Sequence, residues 1–236
     1  MEISADFQGI MKAIADNLQA VTERIGRAAK AARRDPSVVR LLAVSKTHPA
    51  ARMAEAYAAG QRAFGENYVQ EAIEKMASLA GLEWHLIGPL QSNKTRSVAE
   101  RFDWVQTVDR EKIARRLSGQ RPATLPALNV LIQVNASGEA TKSGVALTEV
   151  KDLVNRVASL PRLRLRGLMA IPEPGAPRER YREVHEAYRA LEREFGFDTL
   201  SMGMSDDLEV AIEEGATMVR IGTAIFGERR KERSPA

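Results

Sequence analysis

The sequence of 236 residues contains no cysteine, which removes disulfides, thiolate metal sites and cysteine nucleophiles together. No metal site is expected, and the absence of cysteine suits a reducing interior, so a cytoplasmic protein is expected. Aromatic residues make up only 5% of the chain. The formal net charge of +4 comes from 35 basic residues interleaved with 31 acidic ones. This is the pattern of a solvated surface rather than of a nucleic-acid platform, so no nucleic-acid partner is expected. Long apolar runs are missing too. Residues 1–30 carry Glu2, Asp6 and Asp16 among scattered apolar positions, which fits neither a signal peptide nor a membrane span, and no later stretch fits one.

What is present begins with Phe7, Ile10, Ile14, Leu18, Val21, Ile25, Ala28 and Ala32, at steps of three and four. That spacing predicts an amphipathic helix, stopped by Asp35-Pro36 and placed to cap the bottom of a barrel. Eight short strand-like runs follow at 41–45, 63–66, 84–88, 102–108, 127–135, 163–171, 199–203 and 217–222, most separated by plausible helices. Their alternation predicts an α/β fold, a single (β/α)8 TIM barrel, with Pro- and Gly-bearing loops near 118–126 and 172–178. Three regions are expected: an N-terminal helix over 1–35, the barrel over 36–228 and a charged tail over 229–236. Arg162, Arg164 and Arg166 alternate along one probable strand.

Chemistry first shows in RLLAVSKTHP, residues 40–49. Leu41 to Val44 lack polar alternation, as in a strand buried on both faces, so Lys46 stands at its carboxyl end, where barrels build sites. Pro49 suits the first turn of the next helix, with Thr47 or His48 capping it. After the seventh strand, SMGMSDD offers Gly203 for close backbone approach and Ser205 as a helix cap, with Asp206 and Asp207 in the first turn. After the eighth, RIGTAIFG offers Gly222 and Thr223 to the same anion. A phosphate anchor facing an amine fits a phosphorylated carbonyl compound held as a Schiff base. Pyridoxal phosphate and a sugar-phosphate aldolase substrate both satisfy that description. Arg220, if it points inward, can donate to a pyridine nitrogen and cannot accept a proton from it; otherwise it makes a salt bridge at the rim.

Taken together, VSKTHP, FGENYVQE, WHLIGPLQSNK, LSMGMSDDLEVAI and VRIGTAIFG, spread over residues 44–227, closely resemble the pyridoxal phosphate homeostasis protein family. The resemblance implies a fold like the barrel domain of alanine racemase, with pyridoxal 5'-phosphate (PLP) as a Schiff base on Lys46. It implies phosphate contacts from Ser205, Gly222 and Thr223 with Met204 backbone support, Arg220 at the pyridine nitrogen and Asn67 beside the ring. Ser201 and His85 join the cofactor-binding set, with a histidine satisfied inside the core as the other reading of His85. Trp84 and Phe64 are read as packing. The implied role is intracellular PLP and vitamin B6 homeostasis, with no catalytic residue. PLP-dependent apoenzymes are the implied partners, and a monomer without membrane attachment is expected.

The competing reading is a PLP-dependent amino-acid racemase, with Tyr68, Tyr57 or His85 as a second acid/base group. Alanine racemase takes its own second group from an additional carboxyl-terminal domain of a partner subunit, whereas the barrel here occupies the chain to about residue 227. Arg220 does not separate the two readings. Lys142, in NASGEATKSG, is a candidate secondary site for the cofactor, and His48 stands where many relatives have lysine.

Overall fold

The computed structural model describes residues 5–137 and 143–228, with side chains from residue 13 onward. Helix α1 (Ala5–Ala31) precedes β1 (Arg40–Val44), α2 (Ala50–Ala58), β2 (Ala63–Glu66), α3 (Val69–Met76) and β3 (Glu83–Leu86). Then come α4 (Thr95–Arg101), β4 (Trp104–Val108), α5 (Glu111–Gln120), β5 (Leu128–Asn135), β6 (Val145–Ala146) and α6 (Val150–Ala158). The chain continues through β7 (Leu163–Ala170), α7 (Arg178–Phe195), β8 (Thr199–Ser201), α8 (Leu208–Glu213), β9 (Met218–Ile221) and α9 (Thr223–Phe226).

Eight of the strands run parallel in the order β4-β3-β2-β1-β9-β8-β7-β5, and β5 pairs back onto β4 to close the barrel. Each expected strand lies where the apolar runs placed it. The two-residue β6, paired with the end of β5, has no counterpart in the sequence reading. Every barrel strand alternates between two environments, as a period of two requires. Leu42, Val44, Ala63, Ile87 and Met218 form one interior cluster and Trp104, Leu131 and Met169 another. Their neighbours Ala43, Phe64, Trp84, Leu86, Val105, Leu200 and Val219 belong to the larger core between strands and helices. Phe64 and Trp84 are thus packing residues.

Near the foot of the barrel, Arg40 pairs with Glu83 and Arg166 with Asp198, each at 2.7 Å. Their guanidinium carbons lie 5.8 and 4.7 Å from the centre of the Trp104 ring.

Two expectations about placement are corrected. The loop expected from residue 118 starts at Arg121, because α5 runs on to Gln120. Arg121 then pins the loop, donating to the carbonyls of Ala99, Phe102 and Pro126 at 2.8 Å each. Helix α1 does not cap the bottom: it packs along the outer wall against α2, α8 and α9. The reason is that α9, four residues long, is too short to cover β9 and β1. Ile14, Leu18, Val21 and Ile25 of α1 are buried there, each contributing about 2 kcal/mol. Asn17 Nδ2 donates to the Ile225 carbonyl at 2.9 Å, and Arg34 to that of Ile212 at 2.5 Å.

Candidate functional site

Leu42 and Val44 set the inward face of β1, and Lys46 follows two residues later in the turn at the strand's carboxyl end. Ser45 between them is fully buried on the outer side, where its hydroxyl donates to Glu66 Oε1 at 2.6 Å. Val44 pairs with Gly65, so Lys46 and Asn67 each follow the same rung by two residues, both just past the ends of their strands. Beyond Lys46 the backbone reverses through Thr47, a β-branched residue at φ 64°, a conformation that costs about 1–3 kcal/mol unless surroundings impose it. Here the Thr47 N–H donates to Glu71 Oε1 at 2.6 Å and the His48 N–H to the Ser45 carbonyl at 3.0 Å. The capping expectation is corrected: Pro49 precedes α2, and neither Thr47 nor His48 caps it through a side chain. The His48 ring instead packs on Phe226, 5.1 Å between centres.

Arg220 is inward and 4% exposed, which settles the choice between barrel interior and rim. Its Nη2 donates to the Ala170 carbonyl and its Nη1 to Ser201 Oγ, both at 2.8 Å. Ser201 donates to Gln106 Oε1 at 2.7 Å, and Gln106 Nε2 meets His85 Nδ1 at 2.9 Å. His85 Nε2 lies 2.6 Å from Glu83 Oε1, which also accepts from Arg40 at 2.7 Å. Because Gln106 spends its oxygen on Ser201, its amide must donate to His85, which puts the imidazole proton on Nε2 and aims it at Glu83. A directional chain therefore runs from the foot of the barrel to the guanidinium. Burial lowers Arg220 to about 10, partly offset by the charge of Asp207, so it remains a cation at neutral pH. Among the described residues Arg220 makes no ion pair.

Burial also holds His85 below its ordinary range, against the pull of Glu83. The unfolded chain therefore takes up a proton near pH 6.5, about the free histidine value, that the folded chain resists. This contribution to stability is complete above that pH and is lost as the pH falls through it. Urea midpoints of the cofactor-free protein are expected to fall between about pH 6.5 and pH 5, and to fall less in His85→Gln. His185, likewise lowered by burial, preserves part of the slope in the variant. Identical slopes would refute the assignment.

Asn67 is held by a close approach. A Cβ on Gly88 would stand 2.2 Å from the Asn67 carbonyl oxygen, so only glycine lets the loops after β2 and β3 lie this near. Thr107 donates to the Gly88 carbonyl at 2.9 Å and steadies the contact. A cavity of about 300 Å³ opens beside it, lined by Asn67, Thr107, Gln133, Asn135 and Glu173 among others.

The loop after β8 is tied to β9 by the Arg220 N–H, which donates to the Gly203 carbonyl at 2.9 Å. A Cβ at Gly222 would meet the Val44 carbonyl at 3.1 Å, and exposed Thr223 opens α9. Three details depart from expectation. Ser205 is not the cap of α8, which begins only at Leu208, so Asp206 and Asp207 precede the helix. The Met204 N–H, expected to support phosphate, donates to Asp207 Oδ1. Gly203, at φ 96°, has no room for a Cβ because Ala211 stands 2.6 Å away, so its missing side chain serves strand-to-helix packing. Tyr181 holds the other Asp207 oxygen at 2.6 Å. Asp207 wins these roles because its carboxylate bridges the loop amide and α7.

The structure thus brings Lys46, Asn67, Gly222 and Arg220 to the upper end of one barrel, while Ser201 and His85 stand behind Arg220 in its hydrogen-bond chain. Sequence reasoning missed Gln106, although its spacing from Trp104 already put it on the inward face. Lys142 and the tail at 229–236 lie outside the described residues. Among the described residues no three His, Asp or Glu side chains are grouped to hold a metal, and no helix is long and apolar enough to cross a membrane.

Residues 16–230 match the family model described as alanine racemase, N-terminal domain. A pyridoxal phosphate homeostasis protein from Pseudomonas aeruginosa is 61% identical over 223 residues, covering 93% of this chain and 97% of its own. The chain belongs to the pyridoxal phosphate homeostasis protein family. The solved structure of PipY from Synechococcus elongatus with PLP bound is 36% identical, with a TM-score of 0.78 over 91% of this chain and all of its own. Outside the homeostasis family, the barrel matches alanine racemase from Corynebacterium glutamicum with a TM-score of 0.70 at 19% identity. That alignment covers 94% of this chain and 63% of the racemase, and at such identity it shows the shared fold.

Proposed function

We propose that this protein binds pyridoxal 5'-phosphate at the barrel mouth, holds it covalently on Lys46, and serves the PLP supply of the cytoplasm rather than a reaction of its own. The observation that carries this reading is Arg220, a guanidinium 4% exposed and held by neutral acceptors. A buried cation with donors only fits an aromatic nitrogen acceptor, and the exposed Thr223 hydroxyl that follows Gly222 fits an anion at the other end. PLP, when bound, would supply an aldehyde, and Lys46 is the amine that would hold it. Asn67 lies beside the ring in this reading, and Ser205, Gly222 and Thr223 face the phosphate. Met204 contributes through its backbone only if its N–H leaves Asp207. Ser201 and His85 act through Arg220.

The placement of candidate acid/base groups favours holding over turnover. His85 is fully buried with both ring nitrogens engaged. Tyr57 sits near the far end of α2 with the Arg62 guanidinium 4.2 Å from its ring centre. Tyr68 alone of the three is on the rim, 59% exposed. PLP-dependent apoenzymes are the partners this role implies, and a monomer suffices for it.

Borohydride reduction of the PLP-loaded protein followed by peptide mass spectrometry is expected to place a pyridoxyl group on Lys46. Lys46→Ala should lose that adduct and bind PLP at least ~10-fold more weakly, since the covalent link supplies several kcal/mol. With L- and D-amino acids in deuterium oxide, α-proton exchange should not exceed that of free PLP. Exchange that depends on Lys46 would instead mean that the bound cofactor is catalytically competent, and a racemase or transaminase reading would take first place.

A further inference from the structure

We propose that Lys75, together with Glu66 and Glu71, is a positioning group for Lys46, acting from the outer face of the barrel wall. The inference rests on Lys46 as the cofactor lysine. Lys75 lies on α3 and is 6% exposed, an unusual state for a side chain that ordinarily extends to water. An ammonium has three N–H donors, and all three are used. They go to the Ser45 carbonyl at 2.9 Å, Glu66 Oε1 at 2.7 Å and Glu71 Oε1 at 2.6 Å.

The acceptors are not scattered. Glu66 Oε1 also accepts from the Ser45 hydroxyl at 2.6 Å, and Glu71 Oε1 from the Thr47 N–H at 2.6 Å. The residues on either side of Lys46 are therefore tied to one buried cluster, and one of them is the left-handed Thr47 at φ 64°. The His48 N–H, donating to the Ser45 carbonyl at 3.0 Å, closes this turn, and Glu71 is the side chain that adds a second hold on its left-handed residue. Lys46 thus stands in a turn whose two ends are gripped from outside.

Stability alone is a poor explanation of the cluster. Burying an ammonium between carboxylates carries a desolvation cost that an apolar pair between β2 and α3 would avoid. Glu66 Oε2, also buried, has no hydrogen-bond partner among the described residues. What the cluster does supply is direction, because each of its bonds has one acceptor position.

Two variants test this in the full chain. Lys75→Met removes the hub, and Glu71→Gln, at the 26% exposed edge of the cluster, weakens only the grip on Thr47. In the cofactor-free protein, amide hydrogen exchange at Thr47 is expected to be at least tenfold faster in both variants. Strands β1 and β2 should keep their protection. In the PLP-treated protein, the pyridoxyl yield on Lys46 after brief borohydride reduction should fall several-fold, with Lys75→Arg recovering part of it. Unchanged exchange at Thr47 and unchanged yield in folded Glu71→Gln would overturn the proposal, even if Lys75→Met fails to fold. A wild-type protein with no adduct on Lys46 would defeat the cofactor reading, while exchange at Thr47 would still decide whether the cluster holds the turn.

Discussion

Gly88→Ala is expected to destabilise the protein by about 3 kcal/mol and to weaken PLP binding in the same variant. The added methyl would lie 2.2 Å from the Asn67 carbonyl oxygen, 2.7 Å from its Cα and 2.8 Å from its carbonyl carbon. All three are backbone atoms, so no rotamer change relieves the clash. Either the loop after β2 moves away, taking Asn67 with it, or the loop after β3 gives up the bond from Thr107 at 2.9 Å. Urea unfolding of the cofactor-free protein reads the first effect and PLP titration the second. Gly119→Ala is the matched control: it sits in α5 with nothing within 4 Å of its added methyl, so a gain of up to ~1 kcal/mol is expected. A stable Gly88→Ala protein with normal PLP affinity would show that Asn67 need not stand where it does.

Gln106→Leu is expected to cost roughly 2–4 kcal/mol, although the side chains are similar in volume. The substitution leaves the His85 Nδ1 acceptor and the Ser201 hydroxyl facing an apolar group inside a barrel where both residues are fully buried. Arg220 then keeps Ala170 but loses the ordered hydroxyl that fixes its Nη1. A double-mutant cycle with Ser201→Ala separates the chain from its parts. If the relay acts as a unit, the second substitution costs much less in the background of the first. Additive losses, or PLP affinity unchanged in Gln106→Leu, would mean that Arg220 is held without the chain beneath it.

The sequence made most of the barrel legible because its inner strands carry apolar runs on both faces, and a two-sided strand has few other places to go. Lys46 was legible for the same reason: it follows an unbroken run from Leu41 to Val44. Helix α1 was legible as a helix but not in position, since an apolar stripe records that it is covered without recording which wall covers it. The cap of α8 was misread because Ser205 and Asp207 are both good acceptors, and the choice rests on Tyr181, 26 residues from Asp207. The cluster around Lys75 was invisible. It joins residues separated by up to 30 positions, and no local pattern marks a lysine that will be drawn inward. Gln106 lay between these cases: its face followed from strand periodicity, but its partners belong to β3 and β8.

The short α9 has a consequence for the order in which the protein is made. The wall that α9 leaves bare is covered by α1, and Asn17 reaches the Ile225 carbonyl across 208 positions of chain. At a synthesis rate of about 5–20 residues per second, the apolar stripe of α1 waits roughly 10–40 seconds on the ribosome before the last part of the surface it covers exists. Helix α1, translated ahead of the whole barrel, is therefore among the last elements to complete its seat, and for that interval its sheltering falls to the nascent chain itself or to whatever meets it at the exit tunnel.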